Sequence, residues 1–464
     1  MTAKSLLQHL VQGASGYVEL RWHKRTSCTF EVTQGRVLLA DRAVIEGVGV
    51  RTLIDGAWGV AATSDVSERG VRQAITQARE AAALLLGIRG KRPLVLAQAR
   101  LSTRDFVGSG FVELASMGLA DKLGEMIDLE RRLAGASARL QSAEVRYTEY
   151  LEEKAIVTSD GANCSLRMAQ CELALAAIAQ RHGRRATSTS AAGVNGDWSR
   201  LFHHPSLESA IEDVASTAVA LLDARHPEPG RQSVILAPAL VGLLCHEAVG
   251  HTVEADLVAS GSVAAGKIGQ QVASALVTMA DTGDDHGSAG AMGSLPFDDE
   301  GVETEATVII RSGMLENYLH SRESAARFGV RPAGNARAWL YSDEPLIRMR
   351  NTYIAPGTTC LADMIAGIND GYLLEGAGNG QADTNGEFMF GCDHVWEIKN
   401  GRKSALLQGA SVSGMAFDVL KSVDAVSSDF RWDLGMGHCG KGQRAKVDAG
   451  GPYLRCEMNV GGRA

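Results

Sequence analysis

The spacing of two histidines is the tightest constraint in this chain. Residues 243–256 read LLCHEAVGHTVEAD, which sets His246, Glu247 and His251 directly after an apolar run. In a straight α-helix, side chains four apart share a face, and that is how an H-E-x-x-H segment grips one metal ion. Histidines five apart are turned about 140° from one another. They converge only if the helix widens into a π-bulge or ends between them, and Gly250 permits such a distortion. The alternative is two unrelated, partly buried histidines. Glu247 favours convergence, because a carboxylate following an apolar run is costly unless a metal, water or cation compensates it.

The rest of the chain reads as two α+β halves. From Tyr17 to Ala61, β-rich runs alternate with the turn pairs Gln34-Gly35 and Asp55-Gly56, the pattern of an antiparallel meander. A helix opens at Ser67, with Val71, Ala74, Ile75, Ala78, Ala82 and Leu85 three and four apart. A second helix is expected over Leu119–Ala134, then a strand pair hinged at Asp160-Gly161, then an amphipathic helix over Ser206–Ala224. RHPEPGR, residues 225–231, breaks the pattern. The expected division is therefore an N-terminal α/β layer domain of antiparallel strands and helices, 1–225, and a β-dominated C-terminal domain, 226–464. In the second, SVILAPAL reads as a buried strand feeding the helix that bears His246.

Composition excludes several classes. The net charge is −8 and aromatics make up 5%, so no electrostatic footprint for nucleic acid is present. No stretch approaches the ~20 apolar residues of a membrane span, and the start lacks a secretory core. Eight scattered cysteines fit reduced thiols. A cytoplasmic protein with neither membrane nor nucleic-acid partner is expected.

Two histidines hold zinc poorly, so a third ligand is expected elsewhere. Glu254 and Asp256 lie close by, and Asp284-Asp285-His286 form a compact cluster. Far along the chain, GMGHCGKG (435–442) sets His438 and Cys439 among glycines. A thiolate there suits zinc, and a small buried hydrophobe is the other role open to the cysteine. The same loop nearly spells a phosphate-binding loop, but Gly442 replaces the hydroxyl, and neither a strand before it nor a helix after it is present, so that role is rejected.

Taken in order, the blocks HEAVGHTVEAD, FDDEGVETEATVIIRSGMLENYLHSRESAARFG, GNARA, RMRNTYIAPG, NGEFMF, CGKGQ and NVGG resemble the TldD/PmbA family of metallopeptidases, and specifically its TldD-type catalytic branch. The resemblance covers nearly all of the second half and is looser in the first. It implies that His246, His251 and Cys439 bind one zinc ion per chain and that Glu247 is the catalytic base. It also implies a dimer, either of this chain with itself or with a related, metal-free family chain. Family members are thought to cut unstructured peptides that lie along a β-strand, and NGEFMF (385–390) is the candidate strand, with an ordinary core strand as the alternative. GNGQAD (378–383) and GGP (450–452) depart from the family pattern and are expected near the cleft.

The expected activity is zinc-dependent hydrolysis of peptide bonds through a metal-activated water, with Glu254 and Asp256 either partners that orient a histidine or the solvated end of the helix. Two rivals remain: a non-catalytic scaffold subunit, and an amide hydrolase acting on a small or carrier-tethered substrate. Direct action on DNA finds no support in charge or motif.

Overall fold

Left-handed turn residues set the first sheet. Gln34 and Gly35 take φ of 52° and 69°, and Asp55 and Gly56 take 47° and 83°, the primed-turn geometry that matches the twist of paired strands. After a short helix α1 (Ala3–Val11), these turns fold β1 (Tyr17–Thr33) onto β2 (Arg36–Ile54) and β2 onto β3 (Ala57–Thr63). α2 (Glu68–Arg89) starts where the Ser67 side chain accepts from the Gly70 amide, the ordinary N-cap bond. Then come β4 (Asp105–Val107), α3 (Phe111–Ser116), α4 (Leu119–Gly135), β5 (Leu140–Thr158), β6 (Asn163–Arg181), β7 (Arg184–Asn195) and α5 (Ser206–Leu221). The sheet runs β3-β2-β1-β5-β6, with β4 and β7 both along β6. This computed structural model describes residues 2–461 apart from 91–93, 197–198, 200, 202–205, 285–289, 379 and 434.

α4 and α5 lay Met126, Leu129, Leu133, Ile211 and Val214 over Tyr147 and Leu173 of the sheet. α2 covers the other end with Val71, Ala74 and Ala78 against Val18, Leu20 and Val48. Each such aliphatic side chain contributes roughly 1.5–3 kcal/mol on burial. Two features differ from the sequence reading. β1 and β2 run unbroken for 17 and 19 residues, because Asp41, Arg42 and Glu46 sit on the open edge of β2, where charge costs nothing. β7 was unread, since its small polar residues carry no apolar alternation.

The second sheet begins with β8 (Gly230–Leu236), which passes through Ala237 into α6 (Pro238–Leu243). Pro238 is the first helical residue and not part of the strand, as suits a residue with no amide hydrogen to give. The remaining strands are β9 (Met279–Thr282), β10 (Thr307–Arg311), β11 (Met314–Leu315), β12 (Ala336–Arg337), β13 (Leu346–Ile347), β14 (Asn351–Ile354) and β15 (Asp370–Glu375). They continue as β16 (Gly380–Ala382), β17 (Glu387–Lys399), β18 (Arg402–Met415), β19 (Ala425–Trp432), β20 (His438–Lys441), β21 (Gln443–Lys446) and β22 (Asp448–Val460). β8 pairs with both β15 and β22, so the circuit β22-β18-β17-β15-β8 closes on itself. α6 lies against β22, and a Cβ on Gly242 would stand 2.9 Å from the carbonyl carbon of Ala449.

Charge joins the two halves. On β1, Glu19 is bonded by Arg51, which also reaches Glu300, and Arg25 bonds Glu152 and stacks 3.5 Å over Trp339. Lys154 reaches Asp299 at 2.9 Å. Thus two acids of FDDEG (297–301), Asp299 and Glu300, are seated on the first sheet. The structure is an α+β protein of one antiparallel-strand sheet with helices and one β-rich half. No helix among the described residues is long and apolar enough to cross a membrane. All eight cysteines are free, and only Cys360 is exposed.

Candidate functional site

α6 does not continue as a regular helix. Leu244–Gly250 form a π-helical turn, followed by a 3₁₀ turn over His251–Val253. The amide of His251 donates to the carbonyl of His246, five residues back, and this wider ring brings an i, i+5 pair together. The two imidazoles meet with centroids 5.3 Å apart and planes at 82°. Gly250 has ordinary helical angles, φ −55° and ψ −49°, so its need is space and not backbone freedom. A Cβ there would fall 1.9 Å from Sδ of Met349.

The third member arrives on a hairpin. β20 and β21 pair through a turn at Gly442, φ 70°, which puts the Sγ of Cys439 3.1 Å from Nε2 of His251. One donor atom from each of His246, His251 and Cys439 lies within 4.8 Å of the others. Burial alone would push the Cys439 thiol up, but the His246 and His251 imidazoles overcome it and bring it down to about 4. A thiolate and two imidazoles are the donor set zinc prefers. Both ring nitrogens of His246 are buried without a hydrogen bond, which is unusual for buried polar atoms unless something else takes them up. The residues present therefore fit the metal.

Behind the cluster stands a charge relay. Nδ1 of His251 and Oε2 of Glu254 are 2.9 Å apart, and Lys441 donates to the same oxygen at 2.9 Å and to Asp256 at 2.8 Å. Glu254 is fully buried. Burial opposes its charge, but His251 and Lys441 hold its carboxyl below the usual carboxylate range. In turn, burial would lower the pKa of His251, and the Glu254 carboxylate raises it instead. Glu254 thus meets the ring nitrogen of His251 that faces away from Cys439 and is not a solvated helix end. Asp256 meets the lysine and the Leu257 amide, not the histidine.

Glu247 is not part of the cluster. Its Oε2 lies 3.8 Å from Nε2 of His251, and with His246 it faces a cavity of about 810 Å³ between the two halves. Thr189–Ala191 from β7 line one side, Gly376–Gly378 and Gly435–Gly437 the other, with the charged side chains of Asp393, Lys403, Arg431 and Asp433 also in the lining. Gly193 and Gly435 meet so closely that a Cβ on Gly193 would stand 2.0 Å from the Gly435 carbonyl oxygen.

Other sequence candidates go elsewhere. His438 turns away from the cluster and meets Glu172 at 2.9 Å, and Glu172 also holds Lys446 at 2.7 Å. Asp284 lines a separate cavity near Asn195 and Thr304, while Asp285 and His286 lie outside the described residues. NGEFMF is not a free edge. Its strand residues in β17 pair with β16 on one side and β18 on the other, and Phe388 and Phe390 stack inside the core. Among the described residues two strands beside the cavity carry an unpaired edge: β16, within GNGQAD, whose Gly378 and Gly380 line one wall, and β7 on the other. GGP does not line this cavity. Gly450 and Gly451 are buried under α6, where a Cβ on Gly451 would stand 2.5 Å from Val241 Cγ1. Sequence reasoning missed Lys441, visible only as the lysine of a false phosphate loop, and gave no role to RMRN (348–351).

Two sheets clasping a cavity lined by His246 of a His-His-Cys cluster and by a separate carboxylate define the kind of site a metal-dependent hydrolase uses. Comparison with known proteins agrees. Residues 18–82, 113–222 and 229–462 match the PmbA/TldA metallopeptidase domain 1, central domain and C-terminal domain, respectively. A metalloprotease of Methanocaldococcus jannaschii is 32% identical over 447 residues, covering 96% of each chain. The zinc metalloprotease TldD homolog of Saccharolobus solfataricus is 26% identical, covering 97% of each. In fold, the chain is similar to the crystal structure of TldE from Thermococcus kodakarensis, with TM-score 0.81, 17% identity and coverage of 99% and 100%. The chain belongs to the PmbA/TldD family of metallopeptidases.

Proposed function

We propose that this chain is a zinc-dependent peptidase in which His246, His251 and Cys439 hold one zinc ion and Glu247 is the catalytic base. The observation that carries this reading is the convergence of the three donor atoms within 4.8 Å, beside the cavity that His246 and Glu247 line. When bound there, zinc supplies Lewis acidity that favours deprotonation of water and polarises an amide carbonyl. Glu247 accepts the proton of the attacking water and passes it to the leaving nitrogen. Its neighbours leave it free to do so, since its side chain is 27% exposed to the cavity. Glu254 and Lys441 keep His251 turned with Nε2 toward Cys439. The inventory supports an enzyme over a scaffold, for which a buried thiolate between two imidazoles has no use.

An extended peptide is the substrate class the cavity suits best. β16 offers an edge that pairs with no other strand among the described residues, so an extended peptide can add to it through its main chain. This moves the docking strand from NGEFMF to residues 380–382. A second family chain is the proposed partner, supported by the likeness to TldE. The division into 1–225 and 226–464 is kept as our reading, with the second sheet starting at Gly230. Metal analysis beside digestion of a peptide library tests the whole: stoichiometric zinc and cleavage by the wild type, and zinc without cleavage by Glu247→Gln, are expected.

A further inference from the structure

The two halves of the cluster are far apart in sequence, so something must set the distance between the π-turn and the hairpin. Residues 347–350 touch both. Arg348 is fully buried. Its guanidinium donates through Nη1 to the Gln443 carbonyl at 2.8 Å and through Nη2 to the Cys439 carbonyl. One planar fork therefore spans both strands of the β20–β21 hairpin. The Ile347 carbonyl accepts from Lys441 at 3.1 Å. The next residue works on the other side, because Met349, also fully buried, fills the space that a Gly250 side chain would need, one position before His251.

The segment is itself rigidly held. The Arg348 amide donates to the Asn335 carbonyl, and the Met349 carbonyl accepts from Arg337, both at 2.8 Å. Arg350 closes on Asp281 through its Nε at 2.8 Å and its amide at 2.7 Å, with both residues at 0% exposure. Among the described residues no carboxylate pairs with Arg348, so a buried cation is retained here for its two carbonyl contacts. A cation in that position is costly unless its donors are used. Lysine keeps the charge but lacks the fork.

We infer that Arg348 and Met349 are positioning residues that hold Cys439 and His251 at ligating distance, Arg348 by clamping the hairpin and Met349 by seating the turn at Gly250. This rests on the zinc reading above. It accounts for RMRN, which no other role absorbs. Nothing in it requires either side chain to touch the metal or substrate.

The test measures zinc affinity by chelator competition, and the near-ultraviolet sulfur-to-metal absorption of the cobalt-loaded protein, on the full chain. Arg348→Lys is expected to weaken zinc about 10–100-fold, the range found when groups behind metal ligands are altered, and to shift or dim the cobalt–thiolate band. A shifted or dimmed band at saturating cobalt, in a variant that melts at the wild-type temperature, would show the hairpin displaced, which a general loss of stability would not. A second pair of variants addresses the turn, whether or not the first folds. Met349→Ala is expected to weaken zinc by a similar factor by emptying the seat of the turn, and adding Gly250→Ala is expected to recover part of it by placing a methyl group in the vacated space. Wild-type affinity and spectrum in Arg348→Lys, or no recovery in the double variant, would overturn the inference while leaving the zinc reading intact. Absence of zinc and cobalt binding by the wild type would overturn both.

Discussion

The sulfur of Cys439 lies 3.1 Å from Nε2 of His251, although 188 residues separate them in the chain. That contact exists because a π-turn aims one side chain and a hairpin aims the other. The same geometry leaves Glu247 beside the cluster and outside it, which separates metal holding from proton transfer and allows each to be tested alone.

Glu247→Gln removes the proton acceptor without removing a donor atom. Peptide cleavage is expected to fall by about 10²–10⁴, with zinc content unchanged. Turnover assays beside metal analysis check both halves of that statement.

Glu254→Gln leaves His251 in place but weakens its orientation and leaves Lys441 with half its acidic company. Zinc affinity is expected to fall about 10–100-fold. Chelator competition measures it, and unchanged affinity would remove Glu254 from the account.

The interface between the halves gives a prediction with a defined pH dependence. Burial opposes the charge of Glu152, but Arg25 and His23 hold its carboxyl far below the usual range. A depressed folded pKa means that the carboxylate stabilises the fold above the unfolded pKa, ~4.3, and that this contribution is lost as pH falls through the folded value. Glu152→Gln should therefore cost about 3–5 kcal/mol near neutrality, since it strands the buried Arg25 guanidinium. The difference from wild type should narrow as pH drops below about 4. Denaturant titrations at several pH values check the sign.

Gly242→Val tests the seat of the metal helix. A Cβ at Gly242 would already stand 2.9 Å from the Ala449 carbonyl carbon, so a branched side chain must lift α6 from β22. Overpacking of this kind costs typically 1–3 kcal/mol, and here zinc affinity should fall with it. Calorimetry and metal titration read the two effects separately.

Much of this was legible in the sequence, where the physics is local. Turn pairs at Gln34-Gly35 and Asp55-Gly56, the cap at Ser67 and the apolar stripes of α2, α4 and α5 depend on neighbours a few residues away. The five-residue histidine spacing forced the choice between a π-turn and no site at all, and the structure has the π-turn. What was not legible depends on contacts between distant segments. Gly250 looked like a source of backbone freedom until Met349 was found against it. NGEFMF looked like a docking edge because nothing in its letters reveals that β16 covers it. The pairing of Cys439 with the histidines came from resemblance to a family, since no spacing rule reaches so far. Arg348, Lys441 and the β16 edge needed coordinates.

Zinc K-edge X-ray absorption of the purified chain tests the central claim most directly. The account predicts one sulfur at ~2.3 Å and two nitrogens at ~2.0–2.1 Å, with the sulfur shell lost in Cys439→Ser. A wild-type protein without zinc, or a sulfur shell that survives Cys439→Ser, would contradict it.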